Sequence, residues 1–107
     1  MLKKVVAALV VAAGVFAVNP AQANEQALAL AQKNVCTACH GLTTKLVGPA
    51  YSDVAKKYAD NPNALSELKA SIKAGGAGKW GQIPMPPQAQ LSDEQLTILA
   101  QWILTIK

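Results

Sequence analysis

Hydrophobic and polar positions divide this chain into two unequal regimes. From Val5 to Val18 fourteen successive residues carry no charge and almost no polarity, with Lys3 and Lys4 ahead of them and Asn19-Pro20 behind. From Asn24 onward apolar residues never run so long; they return every three or four positions, the spacing of one helix face. As a helix the first run would reach roughly 21 Å at ~1.5 Å per residue, short of a bilayer core of about 30 Å. A basic start, a short apolar stretch and the small residues of Ala21-Gln22-Ala23 instead match a secretory signal peptide cleaved after Ala23. Residues 1–23 are therefore expected to be an address, and 24–107 a single domain.

Within 24–107 the periodicity predicts about four helices. Asn24 is placed to cap the first, running to about Asn34 with Ala27, Leu28, Leu30 and Ala31 inward. Pro49 is expected to open a second, to about Tyr58, burying Val54, Ala55 and Tyr58. Pro62 suits the first turn of a third, to about Ala74, with Leu65, Leu68 and Ile72 on one face and Gly75-Gly76 ending it. Residues 75–90 hold four glycines and three prolines, so no regular element is expected there. Ser92 restarts helix with Gln95 three residues on, a capping box, and Leu91 with Leu96 as a staple; its inward stripe is Leu96, Leu99, Trp102, Ile103 and Ile106. No strand signal, repeat or linker intervenes, and the fold class read from this pattern is all-α.

Composition changes the picture in two ways. Removing 23 of the 107 residues leaves 84, a size at which a polypeptide core alone is only marginally stabilising, so a staple is expected. Small exported domains use disulfides for this, but the only cysteines, Cys36 and Cys39, lie too close together to close a useful loop. A bound cofactor is the better staple. The remaining charge is eight lysines against six acids, with no arginine and no basic block, which gives nucleic-acid binding little support. Lys56, Lys57, Lys69 and Lys73 fall on outward helix positions and read as solvated charges.

Cys36-Thr37-Ala38-Cys39-His40 carries the chemistry. Two thiols at this spacing can add to two vinyl groups on one edge of a porphyrin while the adjoining imidazole reaches the iron, which is the pattern of covalent haem attachment. Each rival use lacks a partner. A structural zinc needs about four ligands, and the chain has no second cysteine pair and no second histidine. A thioredoxin-type thiol pair belongs beside a βαβ pattern that is absent. If six-coordinate iron is held, the other ligand follows by elimination: once Met1 leaves with the signal, Met85 is the one methionine, in the stiff setting Ile83-Pro84-Met85-Pro86-Pro87. A His40/Met85 pair raises the reduction potential and leaves the iron no substrate position, which favours electron transfer over catalysis. Trp80 can either offer its indole N–H to a haem propionate or sit in the core, and Trp102 reads as core.

With these motifs in hand, the sequence resembles the short class I bacterial monohaem cytochromes c of the periplasmic c-five-five-one/five-five-two type. Three segments carry the resemblance in order: Cys36 to His40, Val47-Gly48-Pro49-Ala50-Tyr51, and Trp80-Gly81-Gln82-Ile83-Pro84-Met85-Pro86-Pro87, followed by the Trp102 helix. It implies four helices wrapped around one covalent haem c, Met85 as distal ligand, the Pro49 carbonyl accepting the His40 ring N–H, and Trp80 at a propionate. It also implies a non-enzymatic periplasmic electron carrier, meeting redox proteins transiently, as a monomer without stable membrane insertion. Three positions depart from the pattern: Val35 where glycine often precedes the first cysteine, Ser71 where a propionate-binding arginine often sits, and Gln88 where asparagine often bonds the methionine sulfur. A haem enzyme or gas sensor would instead need an open iron site that binds CO readily. A cytochrome subunit of a respiratory complex would co-purify with its partners.

Overall fold

A computed structural model describes residues 19–107. The apolar run Val5–Val18 lies outside the described residues. Four helices follow in order, α1 (Pro20–Lys33), α2 (Tyr51–Tyr58), α3 (Ala64–Ala74) and α4 (Asp93–Leu104), with a single 3₁₀ turn at Cys36–Ala38. There are no strands among the described residues, only two isolated bridges. α4 packs against each of the other three helices and is the spine of the core. Its stripe is buried as expected at Leu96, Leu99 and Ile103, while Trp102 and Ile106 pack half-buried at the edge.

The capping box is present in both directions: Gln95 N–H donates to Ser92 Oγ (3.1 Å), and Ser92 N–H to Gln95 Oε1 (2.9 Å). The other helix starts differ from expectation, each for a local reason. Asn24 lies inside α1, because Asn19 caps the helix earlier by accepting from Ala21 N–H (3.1 Å) and Pro20 suits its first turn. α2 begins at Tyr51, after Pro49 and the cap residue Ala50. Its first free N–H groups are met by chain carbonyls, Tyr51 N–H to Gly41 O and Ser52 N–H to Leu42 O, both 2.9 Å, so the loop after His40 acts as the cap. Pro62 stays in a turn in which Asn61 accepts from Asn63 N–H (2.8 Å) and donates to Glu67 Oε2 (2.8 Å), delaying α3 to Ala64. Lys69 is not simply solvated: it reaches Asp93 of α4 at 2.8 Å.

α1 ends on a strained residue. Asn34 is its C-cap, with its side chain donating to Leu30 O (2.9 Å), and Val35 next adopts φ 61°, ψ 20°. The left-handed region is where helices commonly place glycine in this position, and a residue with a Cβ loses roughly 1–2 kcal/mol there. The turn lets the chain leave α1 directly into Cys36.

Candidate functional site

Helix, turn and loop close on one cavity of about 600 Å³, inside the ~300–1,000 Å³ typical of sites that bury an organic ligand. Leu99 and Ile103, one helical turn apart on α4, line it with Val54 and Tyr58 of α2. Cys36, Cys39 and His40 reach it from the 3₁₀ turn, and Met85 from the glycine- and proline-rich loop. Every chemistry-bearing residue singled out from the sequence therefore meets in one place.

The His40 ring is held on three sides. Its Nδ1 lies 2.8 Å from Pro49 O. A carbonyl can only accept, so Nδ1 carries the proton and Nε2 of the neutral ring keeps its lone pair. Tyr51 stacks on the imidazole, with ring centroids 4.9 Å apart and planes 14° off parallel, and meets Trp102 edge-on at 5.6 Å. The ring also lies against Gly48, where a Cβ would sit 2.6 Å from His40 Cε1, a separation no side chain there could keep. Gly48 is itself fixed by its N–H to Cys39 O at 2.7 Å. The turn thus folds back on its own histidine.

Cys36 and Cys39 are not joined to each other in a disulfide. Burial pushes the Cys36 thiol up, partly offset by the facing Tyr51 hydroxyl. The same burial, with Cys36 opposite, pushes the Tyr51 phenol above its ordinary value. Both groups are neutral at pH 7, which suits a cavity that is mostly apolar.

Met85 packs half-buried against the core, and its place is set by backbone hydrogen bonds rather than by any bond to its side chain. Gly76 N–H donates to Met85 O (3.0 Å) and Met85 N–H to Gly76 O (2.9 Å), an antiparallel bridge across the loop. Gly75, at φ 62° and ψ −159°, ends α3 and brings the returning chain so close that a Cβ would meet the Met85 carbonyl and lie 2.7 Å from Pro87 N. Gln88 N–H then binds the last carbonyls of α3, Ile72 O and Lys73 O, both 3.2 Å. The Gln88 side chain donates to Pro86 O (3.0 Å) and accepts from Gln90 Nε2 (2.7 Å), so it does not serve the methionine sulfur.

Two lysines complete the loop. Lys57, expected to be solvated, instead lies 4.4 Å over the Trp80 ring and donates to Lys79 O (3.3 Å). Trp80 is 39% exposed at the cavity and is not a core residue. Lys79 reaches back to Tyr58 and Ser71. Periodicity pointed Lys57 to solvent and gave no signal at Lys79, because both contacts depend on where an irregular loop comes to rest.

The donors suit the cofactor expected from the motif: two thiols, one imidazole nitrogen with its lone pair free and one thioether share a single apolar cavity.

Comparison with known proteins agrees. The Cytochrome c family model matches residues 25–107. Cytochrome c-552 of Hydrogenobacter thermophilus is 55% identical over 85 residues, 79% of this chain and 83% of that protein. Cytochrome c-552 of Nitrosomonas europaea is 55% identical over 78 residues, 73% of this chain and 76% of its own length. The crystal structure of that wild-type Nitrosomonas protein superposes with a TM-score of 0.71 at 54% identity, covering 75% of this chain and 99% of the other. The chain belongs to the cytochrome c family: it is a small class I monohaem electron carrier, not an enzyme, and its cofactor is covalent haem c.

Proposed function

We propose that this chain is exported, loses residues 1–23, and works in the periplasm as a free monomer that shuttles single electrons between respiratory redox proteins. Cys36 and Cys39 would hold the haem by thioether bonds, and His40 Nε2 and Met85 Sδ would be the two ligands of its iron. The observation that carries this reading is the 2.8 Å contact from His40 Nδ1 to Pro49 O, which turns an unprotonated Nε2 into a donor for the cavity that Met85 shares.

Bound haem supplies a reversible one-electron couple at its iron. The chain supplies everything else. The Pro49 carbonyl makes the imidazole a better donor by drawing on its Nδ1 proton, as outer partners of ligating histidines do. Gly48 and Tyr51 hold the ring plane, and the Gly76–Met85 bridge holds the thioether-bearing residue from the other end of the loop. Val54, Leu99 and Ile103 exclude water, which limits the solvent rearrangement that accompanies a change of charge. With His40 and Met85 both bound to it, the iron would have no open position for a substrate. Trp80, at the cavity edge, offers its indole N–H to a propionate.

Export is supported by the signal-like pattern of 1–23. Among the described residues no helix is long and apolar enough to cross a membrane. Cleavage after Ala23 removes the first turn of α1 and leaves Asn24 to begin the helix, with the buried Ala27 and Ala31 intact.

Mass spectrometry of the purified protein is expected to give a chain beginning at Asn24 plus one haem; a chain that keeps its first 23 residues overturns export. The oxidised protein is expected to show a weak far-red absorption band that Met85→Ala abolishes. An unchanged spectrum in that variant overturns Met85 ligation.

A further inference from the structure

The corner of the cavity formed by Tyr58, Ser71, Lys79 and Trp80 contains a cation with no anion. Lys79 Nζ lies 3.3 Å from Tyr58 Oη and 3.3 Å from Ser71 Oγ, both neutral hydroxyls, and 5.9 Å from the centroid of the Tyr58 ring. The one ion pair among the described residues is Lys69–Asp93, elsewhere on α3 and α4. All four corner residues line the cavity. The lysine is not there by default of its backbone: residues 79 and 80 are held to α2 by Lys57, which donates to Lys79 O and covers the Trp80 ring. An ammonium, two hydroxyls and an indole brought to one edge of an otherwise apolar cavity form a site for a carboxylate, where a charge-assisted hydrogen bond is stronger than a neutral one. Haem is apolar except for its two propionates.

We propose that Lys79 is the cation that binds a haem propionate in this chain, with Ser71 and Tyr58 as its flanking hydroxyls. The proposal rests on the haem occupying this cavity. Because Lys79 Nζ and Ser71 Oγ are 3.3 Å apart, a cation carried by either residue reaches the same corner. The charge is delivered from the loop, while α3 contributes only a hydroxyl. Lys79 is a positioning residue that acts through the propionate, and a positive charge there stabilises the reduced, less positive iron site. Its removal therefore lowers the reduction potential.

The test is voltammetry of the intact holoprotein and of Lys79→Ala, Lys79→Arg, the double variant Lys79→Ala with Ser71→Arg, and Lys56→Ala as an exposed lysine that does not line the cavity. The expected result is a lower potential in Lys79→Ala, near wild-type values in Lys79→Arg and in the double variant, and no change in Lys56→Ala. A contact pair also outlasts screening, so the deficit of Lys79→Ala is expected to persist at about 1 M salt, where the Debye length is about 3 Å. A Lys79→Ala potential equal to that of Lys56→Ala overturns the proposal. So does a deficit that vanishes at high salt, or one that Ser71→Arg fails to restore. Each variant is compared only after its absorption spectrum matches wild type. Failure of the Met85 assignment shows in that spectrum, separately from the potential differences that test Lys79.

Discussion

The segment from Cys36 to Tyr51 and the loop from Gly75 to Leu91 each bring one candidate ligand to the cavity, and they do it by different means. His40 is held by its side chain, through the Pro49 carbonyl, the Tyr51 ring and the Gly48 backbone. Met85 is held by its main chain, through the two bonds to Gly76 and the close passage at Gly75, with no hydrogen bond to its sulfur among the described residues. The difference follows from donor chemistry. An imidazole binds through one nitrogen in the ring plane, so the ring itself must be oriented. A thioether on a flexible side chain tolerates a range of approaches, and it is enough to fix where the chain starts from. The first segment should therefore be sensitive to what touches the ring, and the second to what displaces the backbone.

The largest effect is expected where the backbone has nowhere to move. Gly75→Ala places a Cβ against the Met85 carbonyl and 2.7 Å from Pro87 N, at a backbone conformation that only glycine adopts readily. Strain and overlap together cost about 3 kcal/mol or more. The far-red band should be lost while far-UV circular dichroism still reports four helices; a retained band would show that the loop can open without releasing Met85. Gly48→Ala comes next. The new Cβ meets a side chain, His40, which can rotate away, so the loss of stability is expected at roughly 2 kcal/mol. Rotation breaks the bond to Pro49 O, so the Nδ1–H resonance of His40 should lose its hydrogen-bonded shift in NMR. If that resonance stays in place, the ring is not what Gly48 accommodates.

How far the two regions could be read from sequence differs in the same way. Cys36, Cys39 and His40 could be singled out as candidates because the attachment chemistry dictates both residue types and spacing, and Met85 because it was the one methionine outside the expected signal; the fold brings all four to one cavity. Leu96, Leu99 and Ile103 were legible because a helix repeats its face. The bridge between Gly76 and Met85 was not, since it pairs positions nine residues apart across glycines and prolines that have no period. Helix starts were misplaced at Asn24, Pro49 and Pro62 because the residue that begins a helix depends on which groups meet its free N–H donors. For α2 these are Gly41 and Leu42 carbonyls, supplied by a loop whose path no local rule encodes. Lys57 looked like a solvated charge, and Lys79 gave no signal, for the same reason: their partners, Trp80, Tyr58 and Ser71, come from elements brought together by the fold.

Val35 tests the entry to the first segment and carries the opposite sign. Its φ of 61° is strained for a β-branched residue, and its side chain is 65% exposed, so almost no burial is lost on removing it. Val35→Gly should relieve about 1 kcal/mol after allowing for the greater freedom of glycine in the unfolded chain. For a domain of this size that raises Tm by roughly 4–8 °C. The His40 ring contacts lie beyond the turn and should not change, so the spectrum is expected to match wild type. A lower Tm would mean that Val35 makes contacts in solution that outweigh its backbone strain.

The smallest effect separates side-chain from backbone control of the Met85 loop. Gln88→Ala deletes the bond from Gln88 Nε2 to Pro86 O and the one accepted from Gln90, both exposed. It leaves the Gln88 N–H on Ile72 O and Lys73 O and the Gly76 bridge untouched. Exposed hydrogen bonds largely exchange for water, so the change in stability should stay within about 0.5 kcal/mol. The far-red band should keep its position and intensity, because neither deleted bond reaches the sulfur. A shifted or weakened band, at unchanged Tm, would show that the Gln88 side chain helps to set the approach of Met85. The loop would then be governed as the imidazole is, and the contrast between the two regions would fail.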